Sequence, residues 1–203
     1  MILTVNPDHP SPYKIQQIID LLNQGAVVAL PTDTCYALAC LPNHRSAVDQ
    51  LIQLRKLNKK KPRALVFSSI KQVSQYTLLS DVNYRLLKRF LPGPYCFVLE
   101  SNRKLPRFIG DKRQHIGVRI PNHPVLLSLI EELQAPLTVT SAIDPDGETM
   151  LYDPWTIADT FGPNLAMVVD AGVIPSEVSS VVDLTGDEVE ILREGLGDIT
   201  PFK

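Results

Sequence analysis

Residues 26–38, AVVALPTDTCYAL, decide the fold. The short apolar run at their start reads as a strand buried on both faces, and Pro31 breaks it. Thr32, Asp33, Thr34 and Tyr36 follow, a polar group delivered at the end of a core strand. In open α/β sheets ligands bind at such ends, where strands pass side chains into loops.

Outward from this stretch, helices and strands alternate. Upstream, Ser11 and Pro12 form a helix start, Ile15, Ile18, Ile19 and Leu22 follow at helical spacing, and Gly25 stops the helix. Downstream, Val48, Leu51 and Ile52 mark a helix over 45–54, followed by a basic segment and the strand RALVF (63–67). A helix from Ser80 turns Val82, Leu86, Leu87 and Phe90 inward and ends before Pro92-Gly93-Pro94. Strands are expected over 95–100 and 115–120. A helix from Asn122 carries Val125, Leu126, Leu129, Ile130 and Leu133, and the strand PLTVTSA (136–142) comes next. Asp153-Pro154 caps a further helix. Three strands close the chain, at 166–172, 179–185 and 189–195. With no repeat, linker or composition break, the sequence predicts one α/β domain over 1–203, and the late cluster of strands predicts a mixed parallel/antiparallel sheet.

Composition narrows the function. The 203 residues are 44% hydrophobic and 21% charged, ordinary for a soluble globular protein. No apolar run approaches the roughly 18 residues of a membrane span, and the N-terminus lacks the pattern of a signal peptide, so a cytoplasmic protein is expected. Three cysteines (Cys35, Cys40, Cys96) without a CxxC pair argue against a disulfide framework and a zinc site. A net charge of -2 excludes a uniformly basic nucleic-acid coat. One local exception is RKLNKKKPR (55–63), which holds six of the 20 basic residues in nine positions; such a run is usually a solvated loop.

No phosphate loop, dinucleotide fingerprint, nucleophile elbow or zinc-protease motif is present. Polar groups at strand ends remain: Thr32, Thr34 and Tyr36; Arg119; Thr140 and Ser141; Ser179 and Arg193. Hydroxyls and arginines offer directed donors to phosphate or carboxylate. Taken singly, each hydroxyl is also accounted for as a turn or strand stop, and Tyr36 as a core aromatic.

Together, LPTDTCYAL, the basic segment before a short strand, LPGPYCFVL, IGVRIPNHP, TVTSA, SSVVDLT and ILREG occur in one order. That order resembles the YrdC-like superfamily of threonylcarbamoyl-AMP synthases, with its YciO-type branch the nearest. The resemblance implies a twisted mixed sheet curled around a basic cavity, the fold shared with RibB-like proteins. It also implies an ATP-dependent nucleotidyltransferase that joins L-threonine, bicarbonate and ATP, with Mg²⁺, for N6-threonylcarbamoyl modification of tRNA. Carried over by position, Thr32, Thr34, Tyr36 and Arg119 would bind substrate, and Thr140, Ser141, Ser179 and Arg193 the nucleotide. Arg55, Lys59 and Lys61 would be the catalytic cations, with no metal ligands from the protein.

Two positions depart from the family pattern. Leu57 stands where the signature has arginine, and Ile143 where the TSAN segment has asparagine. A second reading is therefore an RNA- or nucleotide-binding protein of the same fold, contacting double-stranded RNA or tRNA through Lys56, Lys60 and Arg63. A third, a sugar-phosphate enzyme of the related dihydroxybutanone-phosphate synthase fold, lacks its acidic Mg²⁺ motif. Cys35, beside the candidate site, reads as a small buried thiol.

Overall fold

A computed structural model of the protein describes residues 1–58, 62–102, 104–109, 114–147, 149–174 and 176–203. Its strands are β1 (Ile2–Thr4), β2 (Val28–Leu30), β3 (Ala37–Cys40), β4 (Ala64–Val66), β5 (Tyr95–Glu100), β6 (His115–Arg119), β7 (Leu137–Ser141), β8 (Met167–Asp170), β9 (Ser180–Asp183) and β10 (Glu190–Arg193). They form one sheet in the order β1-β8-β2-β3-β7-β4-β6-β5-β9-β10. The pairs β1–β8, β8–β2, β4–β6 and β5–β9 are parallel and the others antiparallel, so the sheet is mixed, as expected.

The helices are α1 (Pro12–Asn23), α2 (Arg45–Leu54), α3 (Ile70–Ser74), α4 (Asp81–Phe90), α5 (Pro124–Leu133) and α6 (Pro154–Phe161). Ser80 and Asp153 cap α4 and α6, accepting from the N–H groups of Asn83 (3.1 Å) and Thr156 (2.8 Å). Ser11 makes no capping bond, and α1 begins on Pro12 alone; α5 begins at Pro124 behind His123, not at Asn122. Val82 is 65% exposed, contrary to the expectation for α4, which fully buries only Leu87.

Strand alternation divides the apolar residues between two cores. Val28, Leu30, Ala37, Ala39, Val66, Leu137 and Val139 face α1 and α5. Ala29, Leu38, Cys40, Leu65, Phe97 and Val118 face the other way, against α2, α6 and Leu87 of α4. Directly opposed residues share a face, so the register carries the α1/α5 side across the sheet: Ala64 opposes Gly117, Gly117 opposes Val98, Cys96 opposes Val181, and Val181 opposes Arg193. On β5 this side carries Cys96 and Val98, which are buried yet belong to neither core. Small and polar groups therefore take over where the helical layer ends. No helix among the described residues is long and apolar enough to cross a membrane.

Candidate functional site

The loop after β2 is shaped by its own hydroxyls. Thr32 Oγ1 donates to the Cys35 carbonyl (2.6 Å) and accepts from the N–H groups of Thr34 and Cys35 (both 3.2 Å). This is a local side-chain turn that folds the loop back on itself. Thr32 is thus engaged in holding the loop, and the fully buried Thr34 hydroxyl lies 3.2 Å from its Oγ1.

Arg119 ends β6 and meets this loop. Its Nη2 donates to Asp33 Oδ1 and to Thr34 Oγ1, both at 3.0 Å, while the Asn122 N–H donates to Asp33 Oδ2 at 3.0 Å. The side chains of Arg119 and Asp33 are 7% and 10% exposed, so the ion pair is buried. The β2-β3-β7-β4-β6 ladder separates them by four strand steps, and the usual twist of roughly 20–25° per step turns β6 by about 90° relative to β2. Arg119 Nε is buried with no partner among the described residues. A guanidinium held through Nη2 beside an unpartnered Nε is one whose hydrogen bonding a carboxylate or phosphate would complete.

The second wall is built from the C-terminal strands. Arg193 donates through Nε (3.0 Å) and Nη2 (2.7 Å) to the Ser179 carbonyl, and Nη2 also lies 3.2 Å from Ser179 Oγ. Ser180 Oγ accepts from the Gly195 N–H (2.9 Å) and donates to the Gly197 carbonyl (2.6 Å), pinning the chain after β10 onto β9. The Glu177 N–H donates to the Thr34 carbonyl at 3.1 Å, joining this wall to the 31–36 loop. Burial lowers the Arg193 pKa; Cys96 offsets this and the charge of Arg119 adds to it. Burial raises the Cys96 pKa against the pull of Arg119 and Arg193, so the thiol between them is neutral.

Other candidates fall outside this set. Tyr36 is a fully buried core aromatic: its hydroxyl donates to the Gly172 carbonyl (2.7 Å) and accepts from the Ala171 N–H (3.1 Å), and burial pushes its pKa to about 12. That corrects the expectation of a pocket wall, because neither its ring nor its hydroxyl is left for a ligand. Thr140 opposes Leu38 and Ser141 opposes Ala37, so they point to opposite faces of β7; adjacent strand residues cannot serve one face together. Arg55 donates from Nε to the Ser141 carbonyl (2.9 Å) and from Nη1 to the Asp144 carbonyl (3.1 Å), fastening the loop after β7 to α2. Leu57 packs against the α2-side core, and Ile143 bridges Met150.

Lys59, Lys60 and Lys61 lie outside the described residues. Lys56 is exposed, whereas Arg63 is 6% exposed, so it is not the solvated RNA contact expected from the run. Two clefts of about 220 and 270 Å³ open elsewhere, one beside Tyr76 and Lys104 and one beside Lys71 and Glu131, and neither includes a candidate residue. Sequence reasoning passed over Asp33 as a site residue, although it lies inside the PTDT string, and could not pair it with a residue 86 positions away.

The fold and these walls define a class: a mixed α/β sheet that gathers Arg119 and Arg193, each hydrogen-bonded to its neighbours, on one face. The family model Sua5_yciO_yrdC, described as telomere recombination, matches residues 20–195. YciO of Escherichia coli K12 is 32% identical over 199 residues, covering 98% of this chain and 97% of that protein. The crystal structure of E. coli YciO superposes with a TM-score of 0.96 at 31% identity, over 100% of this chain and 99% of that one. Threonylcarbamoyl-AMP synthase of Vibrio vulnificus YJ016 is 28% identical over 158 residues, or 76% of this chain and 84% of that protein. The crystal structure of P. abyssi Sua5 complexed with L-threonine gives a TM-score of 0.88 at 27% identity, covering 96% of this chain but 57% of that one. The chain belongs to the Sua5/YciO/YrdC family.

Proposed function

We propose that this protein is a threonylcarbamoyl-AMP synthase-like enzyme, which condenses L-threonine with bicarbonate and adenylates the carbamate with ATP, releasing pyrophosphate. The observation that carries the reading is Arg119: buried, oriented by Asp33 and Thr34, with a buried Nε that has no partner among the described residues. The similarity to threonylcarbamoyl-AMP synthases, and to a Sua5 structure that holds L-threonine, supports threonine as the owner of that carboxylate.

Threonine carbamate is an unstable anion, and its oxygen must attack the α-phosphate of a second anion. The chemistry therefore calls for cations and hydroxyl donors that hold both together, not for a protein nucleophile. Arg119 and Thr34 would orient the carboxylate end. Arg193, held rigid by Ser179, would meet the nucleotide. Arg55 shapes the loop after β7 from behind. Among the described residues no cluster of three His, Cys, Asp or Glu side chains could hold a metal ion. Mg²⁺ would accompany the ATP. The product would feed threonylcarbamoylation of tRNA.

The test is mass detection of threonylcarbamoyl-AMP from purified protein with ATP, L-threonine and bicarbonate, with the Arg119→Met variant as control. Product formed by the native protein and lost in the variant is expected. No product from a folded protein that still binds ATP and threonine would overturn the reading.

A further inference from the structure

The chain beyond Arg193 takes no part in the chemistry above, and it ends in one 3₁₀ turn, Thr200–Phe202. On its way it passes from one face of the sheet to the other. Arg193 opposes Val181, which opposes Cys96, on the face that carries Arg119. Ser180 opposes Tyr95 and, with Val182 and Phe97, lies on the other face, where the α2-side core packs. Phe202 packs against that same core.

The crossing segment is gripped along its length. The Leu196 N–H donates to the Val178 carbonyl (2.9 Å), and Ser180 Oγ holds both the Gly195 N–H and the Gly197 carbonyl. These grips fall on either side of Ser179, whose carbonyl receives Arg193 Nε and Nη2. The Tyr95 hydroxyl then donates to the Asp198 carbonyl (3.2 Å). Gly197 lies so close to the Tyr95 ring that a Cβ would stand 2.7 and 2.8 Å from two of its atoms. The segment ends on the Phe202 ring, 4.7 Å from Phe90, 5.9 Å from Phe97 and 6.0 Å from Tyr95, centre to centre. Tilted and edge-on contacts at these distances are attractive beyond the area they bury.

We propose that Phe202 is a positioning residue for Arg193. Its ring anchors the strap 194–199 on the face opposite the site, and the strap fixes the Ser179 carbonyl from which Arg193 takes its direction. The inference rests on the reading of Arg193 as a nucleotide contact and extends it to a side chain that touches no substrate.

The test uses the full chain, with a non-hydrolysable ATP analogue and L-threonine as separate calorimetric probes. Amide hydrogen exchange at Gly195 and Leu196, followed by NMR, reports the strap directly. Phe202→Ala should weaken analogue binding about five- to tenfold and leave L-threonine affinity within about twofold of native. Exchange at the two amides should quicken about tenfold. Phe202→Leu, which refills the space with apolar carbon, should recover most of both losses. Native analogue affinity in Phe202→Ala would overturn the proposal, and so would equal losses of both ligands, the mark of a general loosening. If Phe202→Ala does not fold, Tyr95→Phe carries the test: it removes only the bond to the Asp198 carbonyl, and native affinity with native exchange overturns the strap. A native protein that binds no analogue removes the nucleotide reading of Arg193. The exchange data then decide the strap alone, and unchanged rates in Phe202→Ala overturn it. Analogue binding that depends on Phe202, without threonylcarbamoyl-AMP formation, keeps the strap and removes the synthase.

Discussion

Gly195 sits where the chain leaves β10 and crosses back over β9, and replacing it with alanine tests whether that crossing positions Arg193. A Cβ there would lie 2.7 Å from the Ser179 carbonyl carbon and 2.8 Å from its oxygen, and closer still to the Val178 carbonyl oxygen. These are backbone atoms, so relief requires the two strands to separate by roughly 1 Å. Overpacking of this kind costs about 1–3 kcal/mol. Separation also weakens the Gly195 N–H to Ser180 Oγ bond and the Leu196 N–H to Val178 carbonyl bond, each about 0.5–1.5 kcal/mol. The summed expectation is a loss of about 2–6 kcal/mol in urea unfolding followed by circular dichroism. Because Arg193 hangs on the same Ser179 carbonyl, ATP affinity should fall tenfold or more, a misplacement of about 1 Å being enough for large losses. Gly186→Ala is the control: its Cβ would meet the Glu188 carbonyl at an ordinary 3.5 Å, and it should change neither quantity. A Gly195→Ala protein within about 0.5 kcal/mol of native, with native ATP affinity, would refute the reasoning.

Three further outcomes are expected. Arg119→Lys should reduce L-threonine affinity at least tenfold by calorimetry, because one ammonium cannot hold Asp33, Thr34 and a ligand carboxylate as a planar fork does. Retained affinity would remove Arg119 from the site. Tyr36→Phe should cost about 1–3 kcal/mol in denaturant unfolding, through the two backbone bonds its hydroxyl makes at residues 171 and 172. An unchanged midpoint would show that those bonds do not hold the 31–36 loop. His123 is half-buried near Asp33 and Asp8, and desolvation lowers its pKa against their pull. The unfolded chain therefore binds its proton first, so stability falls as pH drops from about 6.5 through the lower folded value. His123→Gln should flatten that part of the stability profile, and an unaltered slope would assign the acid loss to other groups.

The sequence makes elements legible where they carry local physics. The β5, β7 and β9 runs are apolar and bounded by turn residues, and α2 occupies the predicted 45–54. β1, β3 and α3 were not legible. β1 is three residues long and is a strand only because β8 lies beside it. β3, ALAC, consists of small residues with weak strand preference and no alternation, since both its faces are buried. Val82 was misread because a position that fits the apolar spacing of α4 need not be covered, and this helix buries little.

The site shows a sharper limit. Sequence order brings Thr32, Asp33 and Thr34 together but says nothing of which hydroxyl is consumed. The structure spends Thr32 on the loop, spends Tyr36 on the 171–172 backbone, and leaves Thr34 and Arg119 facing each other. The same logic sorts the basic run: one chemical type at adjacent positions becomes three different things. Lys56 is exposed, Arg55 clamps two carbonyls, and Arg63 is buried with no carboxylate in ion-pair reach among the described residues. Solvation, not residue identity, decides among them, and a buried cation is the one whose charge weighs most on the fold. A charge already in water gains little from another partner. Exchanging Lys56 for alanine should therefore move stability by less than about 0.5 kcal/mol in denaturant unfolding, while Arg63→Ala, which opens a gap beside β4 and frees the Asn58 carbonyl, should cost about 1–3 kcal/mol. Equal changes of stability in the two variants would mean that Arg63 is no more engaged in the fold than Lys56, and the distinction drawn from burial would fall.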